Sequence, residues 1–340
     1  MLFSMQYSSK ETNVNTINII DGDLYMYEFS GILKKYFEGK ILWKLNTNTQ
    51  HFVRKLKKNI FFSFSQFSKV VFFTSTLGEI IINLDISIKP ICIIDDLIWG
   101  SSFKREEGIF EVCSLDENGN YKLILGTGEY CAIKINSDYV LCQNGYHQFK
   151  TFAVNDYNER WQLDIRNLLG SENTKLFGDL IEYEGNLFFF LSDQSDRYGI
   201  YCVEISTGNV LNQINEIGGF LKLSNGLLYM NTAYEVKTIQ TDTFEIKSIN
   251  LRSVLEPKDL NLGILMQINL MVGHLYYFVC QNGRSRAATV GIINLEDSTL
   301  IWTTEIPIES GSYWVKEIQV HGNRLFVLTQ GGTLHIFEKE

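Results

Sequence analysis

The chain has 340 residues, 45% of them hydrophobic and 20% charged, with 3 Pro and a formal net charge of −9 at pH 7. This balance excludes nucleic acid as a general partner, because phosphate binding needs a basic face, and the absence of Pro-rich and low-complexity runs excludes long disordered linkers. The N-terminus MLFSMQYSSKETN lacks the basic and apolar regions of a signal peptide, and residues 60–77 are too polar to span a bilayer, so a cytoplasmic protein with no membrane contact is expected.

Residues 2–7 form a first strand candidate. From Thr16, TINIIDGDLYMYEF reads as two strands around an Asp21-Gly22 hairpin, and GKILWKL follows around Trp43. The basic run Arg54-Lys55-Leu56-Lys57-Lys58 reads as a solvated edge or loop. NIFFSFS, KVVFFTS, GEIIINLD and PICIID then supply four strands up to Asp95. Residues 96–128 contain strands but fit no single repeat, and they read as an irregular insertion. A clean unit of EYCAIKI, DYVLCQN, FKTFAVND and ERWQLDI follows.

The clearest unit spans 179–214. Leu180, Ile181 and Tyr183 lead to a Gly185-Asn186 turn. Leu187 to Leu191 is a short run that suits a strand buried on both faces. A third strand carries Tyr201, Val203 and Ile205 on one face, and a Ser206-Thr207-Gly208 turn precedes a weaker fourth strand. Such a sheet is apolar on both sides and cannot bury itself alone; it must stack on copies of itself. Further copies occupy 220–251 and 265–306, and residues 314–338 supply only three strands.

The turn before the second strand falls at Gly22, Ser68, Ser137, Gly185, Gly226, Gly273 and Gly322, giving differences of 46, 69, 48, 41, 47 and 49. Five of the six match a four-stranded blade of about 40–50 residues, and the sixth contains 96–128. The expectation is one all-β domain over 1–340, a seven-bladed β-propeller of four-stranded antiparallel blades. Its N-terminal strand completes the three-stranded C-terminal blade and closes the ring.

Three units end in tryptophan at one phase, as Gly39-Lys40-Ile41-Leu42-Trp43, Tyr157-Asn158-Glu159-Arg160-Trp161 and Ser298-Thr299-Leu300-Ile301-Trp302; the unit at 179–214 has Thr207-Gly208-Asn209-Val210-Leu211 and then Asn212 in place of the indole. This resembles the pyrroloquinoline-quinone-type repeat of quinoprotein-like and WD-repeat-like propellers, whose blades carry a D-x-x-T-G-x-x-x-W docking motif. The resemblance implies indoles wedged between neighbouring blades. It does not extend to the quinone and calcium of the exported dehydrogenases, so no cofactor is expected. Asp116-Glu117-Asn118-Gly119-Asn120 has its glycine out of register for a calcium loop and reads as a hairpin turn.

Catalytic and metal signatures are missing. The histidines (His51, His147, His274, His321, His335) are scattered, and no HxH, HExxH or G-x-S-x-G string occurs. None of the six cysteines sits in a CxxC pair, and each follows an apolar or aromatic residue, which suits reduced buried thiols. What remains is surface. The candidate partner-binding residues are Trp99, Phe103, Lys104 and Arg105 in the insertion, with Asp193 and Asp196 in a second loop; Trp99 competes with a reading as one more inter-blade wedge. The expected function is that of a monomeric, non-catalytic protein-binding module. One concrete version is an immunity-type protein that neutralises a basic toxin. The alternatives are an enzyme, lyase or hydrolase, with a site in the central channel, and a scaffold subunit of a larger complex.

Overall fold

Strict alternation on both faces of each strand governs how this chain packs. In the run Leu187 to Leu191, Leu187, Phe189 and Leu191 pack towards the preceding sheet while Phe188 packs towards the following one. A sheet built this way is a layer in a stack.

The computed structural model describes residues 5–37, 40–46, 52–58, 60–65, 69–74, 76–86, 88–281, 287–307 and 314–339. Among these, thirty-two strands form eight four-stranded sheets. β1 (Met5–Glu11) opens the chain. Blade 1 is β2 (Val14–Ile20), β3 (Asp23–Glu28), β4 (Ile32–Phe37) and β5 (Lys40–Asn46). Blade 2 is β6 (Phe52–Lys57), β7 (Ile60–Ser65), β8 (Lys69–Thr74) and β9 (Ile80–Leu84). Blade 3 is β10 (Ile88–Ile94), β11 (Leu97–Lys104), β12 (Ile109–Leu115) and β13 (Tyr121–Gly128). Blade 4 is β14 (Cys131–Ile135), β15 (Tyr139–Asn144), β16 (Gln148–Ala153) and β17 (Glu159–Asp164). Helix α1 (Ile165–Leu169) leads to blade 5: β18 (Lys175–Tyr183), β19 (Asn186–Ser192), β20 (Tyr198–Glu204) and β21 (Val210–Asn215). Blade 6 is β22 (Lys222–Ser224), β23 (Leu227–Asn231), β24 (Glu235–Gln240) and β25 (Ile246–Asn250). Helix α2 (Arg252–Leu255) precedes blade 7: β26 (Asn269–Val272), β27 (Leu275–Gln281), β28 (Ala287–Asn294) and β29 (Thr299–Pro307). Blade 8 is β30 (Val315–His321), β31 (Arg324–Thr329), β32 (Leu334–Lys339) and, returning to the start of the chain, β1.

The blade count is therefore eight, not seven. Residues 96–128 are no insertion: joined to Ile88–Ile94 they make blade 3. The error began one blade earlier. The basic run at 54–58 lies mostly in β6, the first strand of blade 2, with Val53 and Leu56 buried. Once that strand is counted, PICIID moves from the end of one blade to the start of the next. Pro90 sits beside a bulge in β10, where a missing N–H is tolerated. Ser68, used as a turn marker, lies outside the described residues.

Eight apolar clusters join the sheets, each shared by two consecutive blades, and the eighth links blade 8 to blade 1. This is a closed ring. β1 pairs antiparallel with β32, from Met5↔Lys339 to Glu11↔Leu334, so the N-terminal strand completes the last blade. First strands of neighbouring blades approach each other, as β2 with β6 and β18 with β22. They are stitched by side chains that reach the next blade's backbone. Lys222 Nζ donates to the carbonyl oxygens of Gln267 (2.9 Å) and Asn269 (2.6 Å), Ser224 Oγ to Met271 O (2.8 Å), Arg54 Nη1 to Ile91 O (2.6 Å) and Lys316 Nζ to Asn15 O (2.5 Å). At these junctions the unpaired edge of the inner strand is thus partly satisfied without a ladder.

The tryptophan repeat follows from the fourth strand. A bulge in the pairing of third and fourth strands precedes Trp43, Trp161 and Trp302, and each indole reaches the next blade. Trp43 meets Phe73 edge-on, with ring centroids 5.7 Å apart. Trp161 Nε1 donates to Ile205 O at 2.6 Å, and Trp302 packs on Phe337 at 5.4 Å. Asn212 stands at this position on blade 5, and there Phe244 from the third-to-fourth turn of blade 6 fills the gap, 6.3 Å from Phe188.

Candidate functional site

In an antiparallel meander, successive turns alternate between two edges of the sheet. Around a ring this separates two faces. One carries every first-to-second and third-to-fourth turn; the other carries the second-to-third turns and the connections between blades.

Most residues singled out from the sequence fall on the second face. Phe103, Lys104 and Arg105 lead into the turn between β11 and β12, closed by Gly108 N–H donating to Lys104 O at 2.9 Å. Phe103 packs at a tilt against Phe110, centroids 4.7 Å apart. Lys104 Nζ lies 2.7 Å from the buried Glu111 carboxylate, which raises the lysine pKa. Arg105 is exposed. Asp193 and Asp196 lie in the matching loop of blade 5. Asp193 Oδ1 accepts from Ser195 Oγ at 2.7 Å and from Ser195 N–H at 2.9 Å, and these bonds hold its carboxyl below the usual range. Asp196 is exposed. The two groups share a face with blade 4 between them. Trp99 does not join them: it is buried between blades 3 and 4, with no hydrogen-bond partner for its indole N–H.

The opposite face carries a feature that sequence reading missed. The turns of blades 3–7 on this face, from Asp95 to Ser298, hold eleven carboxylates and no lysine or arginine. Asp95, Asp96, Asp138, Glu184, Asp242, Glu245, Glu296 and Asp297 are exposed there. In the basic run of blade 2, Lys55 pairs with Asp21 and Lys57 with Glu117 at 2.8 Å, while Lys58 is exposed in the first-to-second turn of that blade on the same face. Asp116, in the calcium-like string, accepts from the N–H groups of Asn118 (2.9 Å) and Asn120 (2.8 Å) and is spent on its own turn. Each acidic residue alone reads as ordinary turn chemistry; only its recurrence at the same phase in successive blades could have signalled a charged face.

Between blades 4 and 5 this face opens into a recess of about 700 Å³. Its walls include Asp138, Tyr139, Thr151, Arg160, Glu182, Glu184, Glu204 and Leu211. Arg160 is bonded to Asp156 at 2.8 Å. Glu182 accepts from Asn136 Nδ2 at 3.2 Å. Burial first, then the neighbouring Glu182 carboxylate, raises the Tyr139 pKa and keeps its hydroxyl protonated. Thr151 is 1% exposed, and its Oγ1 has no hydrogen-bond partner. Among the described residues no group of three or more His, Cys, Asp or Glu is arranged to hold a metal ion, and no helix is long and apolar enough to cross a membrane.

No protein-family model and no curated protein sequence matches the chain. Solved structures do. The C-terminal WD40 domain of Sif2 aligns at a TM-score of 0.64 and 10% identity, covering 99% of each chain. BamB from Moraxella catarrhalis aligns at 0.62 and 13%, covering 98% of this chain and 100% of that one. The computationally designed Ika8 protein aligns at 0.62 and 14%, covering 96% of both. These likenesses, all at 14% identity or less, carry the fold alone, that of a β-propeller.

Proposed function

We propose that this propeller is a non-catalytic protein-binding module of immunity type, which neutralises a basic toxin in the cytoplasm and works without a quinone cofactor. The observation that carries this reading is that the turns of blades 3–7 on one face hold eleven carboxylates and no lysine or arginine, with Arg160 on the recess wall paired to Asp156. A field of one sign steers an oppositely charged partner and raises its association rate. The hairpin of Phe103, Lys104 and Arg105 and the loop of Asp193 and Asp196 offer a smaller contact on the opposite face.

The test is to capture the partner from the native host, cross-link it and measure its association rate against salt. The expected rate falls steeply between about 20 and 300 mM salt, and reversal of Asp95, Asp96 and Asp297 to lysine lowers it at least roughly tenfold. Cross-links confined to the loops of the other face, or a rate indifferent to salt, overturn the reading.

A further inference from the structure

The recess between blades 4 and 5 has a chemistry of its own. Its charged lining is Asp138, Glu182, Glu184 and Glu204 against Arg160, which is already engaged by Asp156. Thr151 Oγ1 is left without a partner in a buried position on this wall. A buried hydroxyl without a partner is costly, and native proteins rarely leave one unless a ligand or water completes it. The rest of the wall mixes the apolar Ala153, Ile205 and half-exposed Leu211 with the polar Asn136, Asn186 and Ser206. The missing group is therefore a cation rich in donors, carried on an aliphatic stem. An arginine side chain fits both halves. Its guanidinium offers five donors in a planar fork that suits carboxylates, and its methylenes can lie along Leu211.

We infer that this recess is a socket for one arginine side chain of the basic partner. This rests on the proposed docking of that partner on the acidic turn face and names the residue it must present. The guanidinium sits between Glu182 and Glu204, donates to Thr151 Oγ1, and fills the space next to the Tyr139 ring. An ammonium reaches the same carboxylates as a point charge but cannot fork between them.

The experiment uses the full chain and three capped tripeptides, Gly-Arg-Gly, Gly-Lys-Gly and Gly-citrulline-Gly, titrated by NMR. The arginine peptide is expected to shift resonances of Tyr139 and Leu211 and to bind about tenfold more tightly than the lysine peptide; the neutral citrulline peptide is expected to leave them unmoved. Glu182→Gln and Thr151→Val, each checked for unchanged melting, are expected to weaken arginine binding by about tenfold and threefold. Equal binding of arginine and citrulline peptides, binding of neither, or full affinity in both variants overturns the socket. The captured partner separates this failure from that of the face. If its association stays salt-dependent while its dissociation is unchanged by Glu182→Gln, the socket is wrong and the face stands. If association is salt-independent yet the arginine peptide binds as described, the socket stands and the face reading is wrong.

Discussion

Trp161 on blade 4 lies flat against Gly208 on blade 5, so closely that a Cβ on that glycine would sit 2.7 Å from the indole ring. The glycine also has φ +76°, where an L side chain is strained. Trp43 and Gly78 repeat the arrangement between blades 1 and 2, with the same 2.7 Å approach and φ +69°. Gly208→Ala is expected to cost about 2–4 kcal/mol, the sum of left-handed strain and overpacking. Gly185→Ala is the control: its φ is +77°, but a Cβ there meets nothing within 4 Å, so about 1–2 kcal/mol of conformational strain remains. Urea unfolding of both variants checks the difference.

Phe244 and Asn212 form the exchanged version of that pair. Blade 5 lacks the indole, and blade 6 has Phe244 at φ +59° where Gly208 stands one blade earlier. Phe244→Gly alone is expected to destabilise by about 2 kcal/mol, the lost packing exceeding the relieved backbone strain. Asn212→Trp alone overpacks the same space. The double variant is expected to recover at least about 1 kcal/mol of the summed losses. A double-mutant cycle giving simple additivity shows that the two side chains do not share one cavity.

Removing residues 1–11 deletes β1 and opens the edge of β32. Six paired positions join the two strands, and at a net contribution of roughly 0.5–1.5 kcal/mol each the loss comes to about 3–9 kcal/mol. The truncated protein is expected to melt earlier and to self-associate through the exposed edge. Adding a peptide of residues 1–11 should reverse both, as read by calorimetry and light scattering.

Lys222 provides a pH signature. Burial lowers its pKa to about 8, with Asp179 opposing the shift, against about 10.4 for free lysine. Between those values the unfolded chain binds the extra proton, so this residue makes stability rise as pH climbs through the window. The rise amounts to at most about 3 kcal/mol. The buried thiols act in the opposite sense: burial pushes Cys92, Cys202 and Cys280 up to about 11, so the unfolded chain ionises first and alkali destabilises. The measurement is therefore a difference, wild type against Lys222→Met, by urea midpoints at roughly pH 7 and 10. The wild type should gain on the variant as pH rises, and parallel curves would refute the assignment.

Blade architecture was legible where the strands alternate without charge. Leu187 to Leu191 and Tyr198 to Ile205 could hardly be anything but inner layers of a stack, and the Trp43, Trp161 and Trp302 phase located the inter-blade wedges. The missing blade was hidden by lysines. In β6 the charged heads belong to Arg54, Lys55 and Lys57, the first bonded to Ile91 O and the lysines each tied to a neighbouring turn, while Val53 and Leu56 carry the buried pattern. The Asp95-Asp96 turn gave no glycine signal, although both residues adopt positive φ, 49° and 59°. The acidic recess escaped for another reason. Thr151 and Glu182 meet only because blades 4 and 5 stack, and spacing along the chain says nothing of that meeting.

Met5 lies opposite Lys339 in the last blade. During synthesis at about 5–20 residues per second, the opening segment waits roughly 15–70 s for the strand that will receive it. The circle therefore latches in one late event, after all other layers have been made. A ribosome that stops short releases a chain with two raw, sticky faces and no clasp, which a protease or chaperone can tell from the finished product by touch alone.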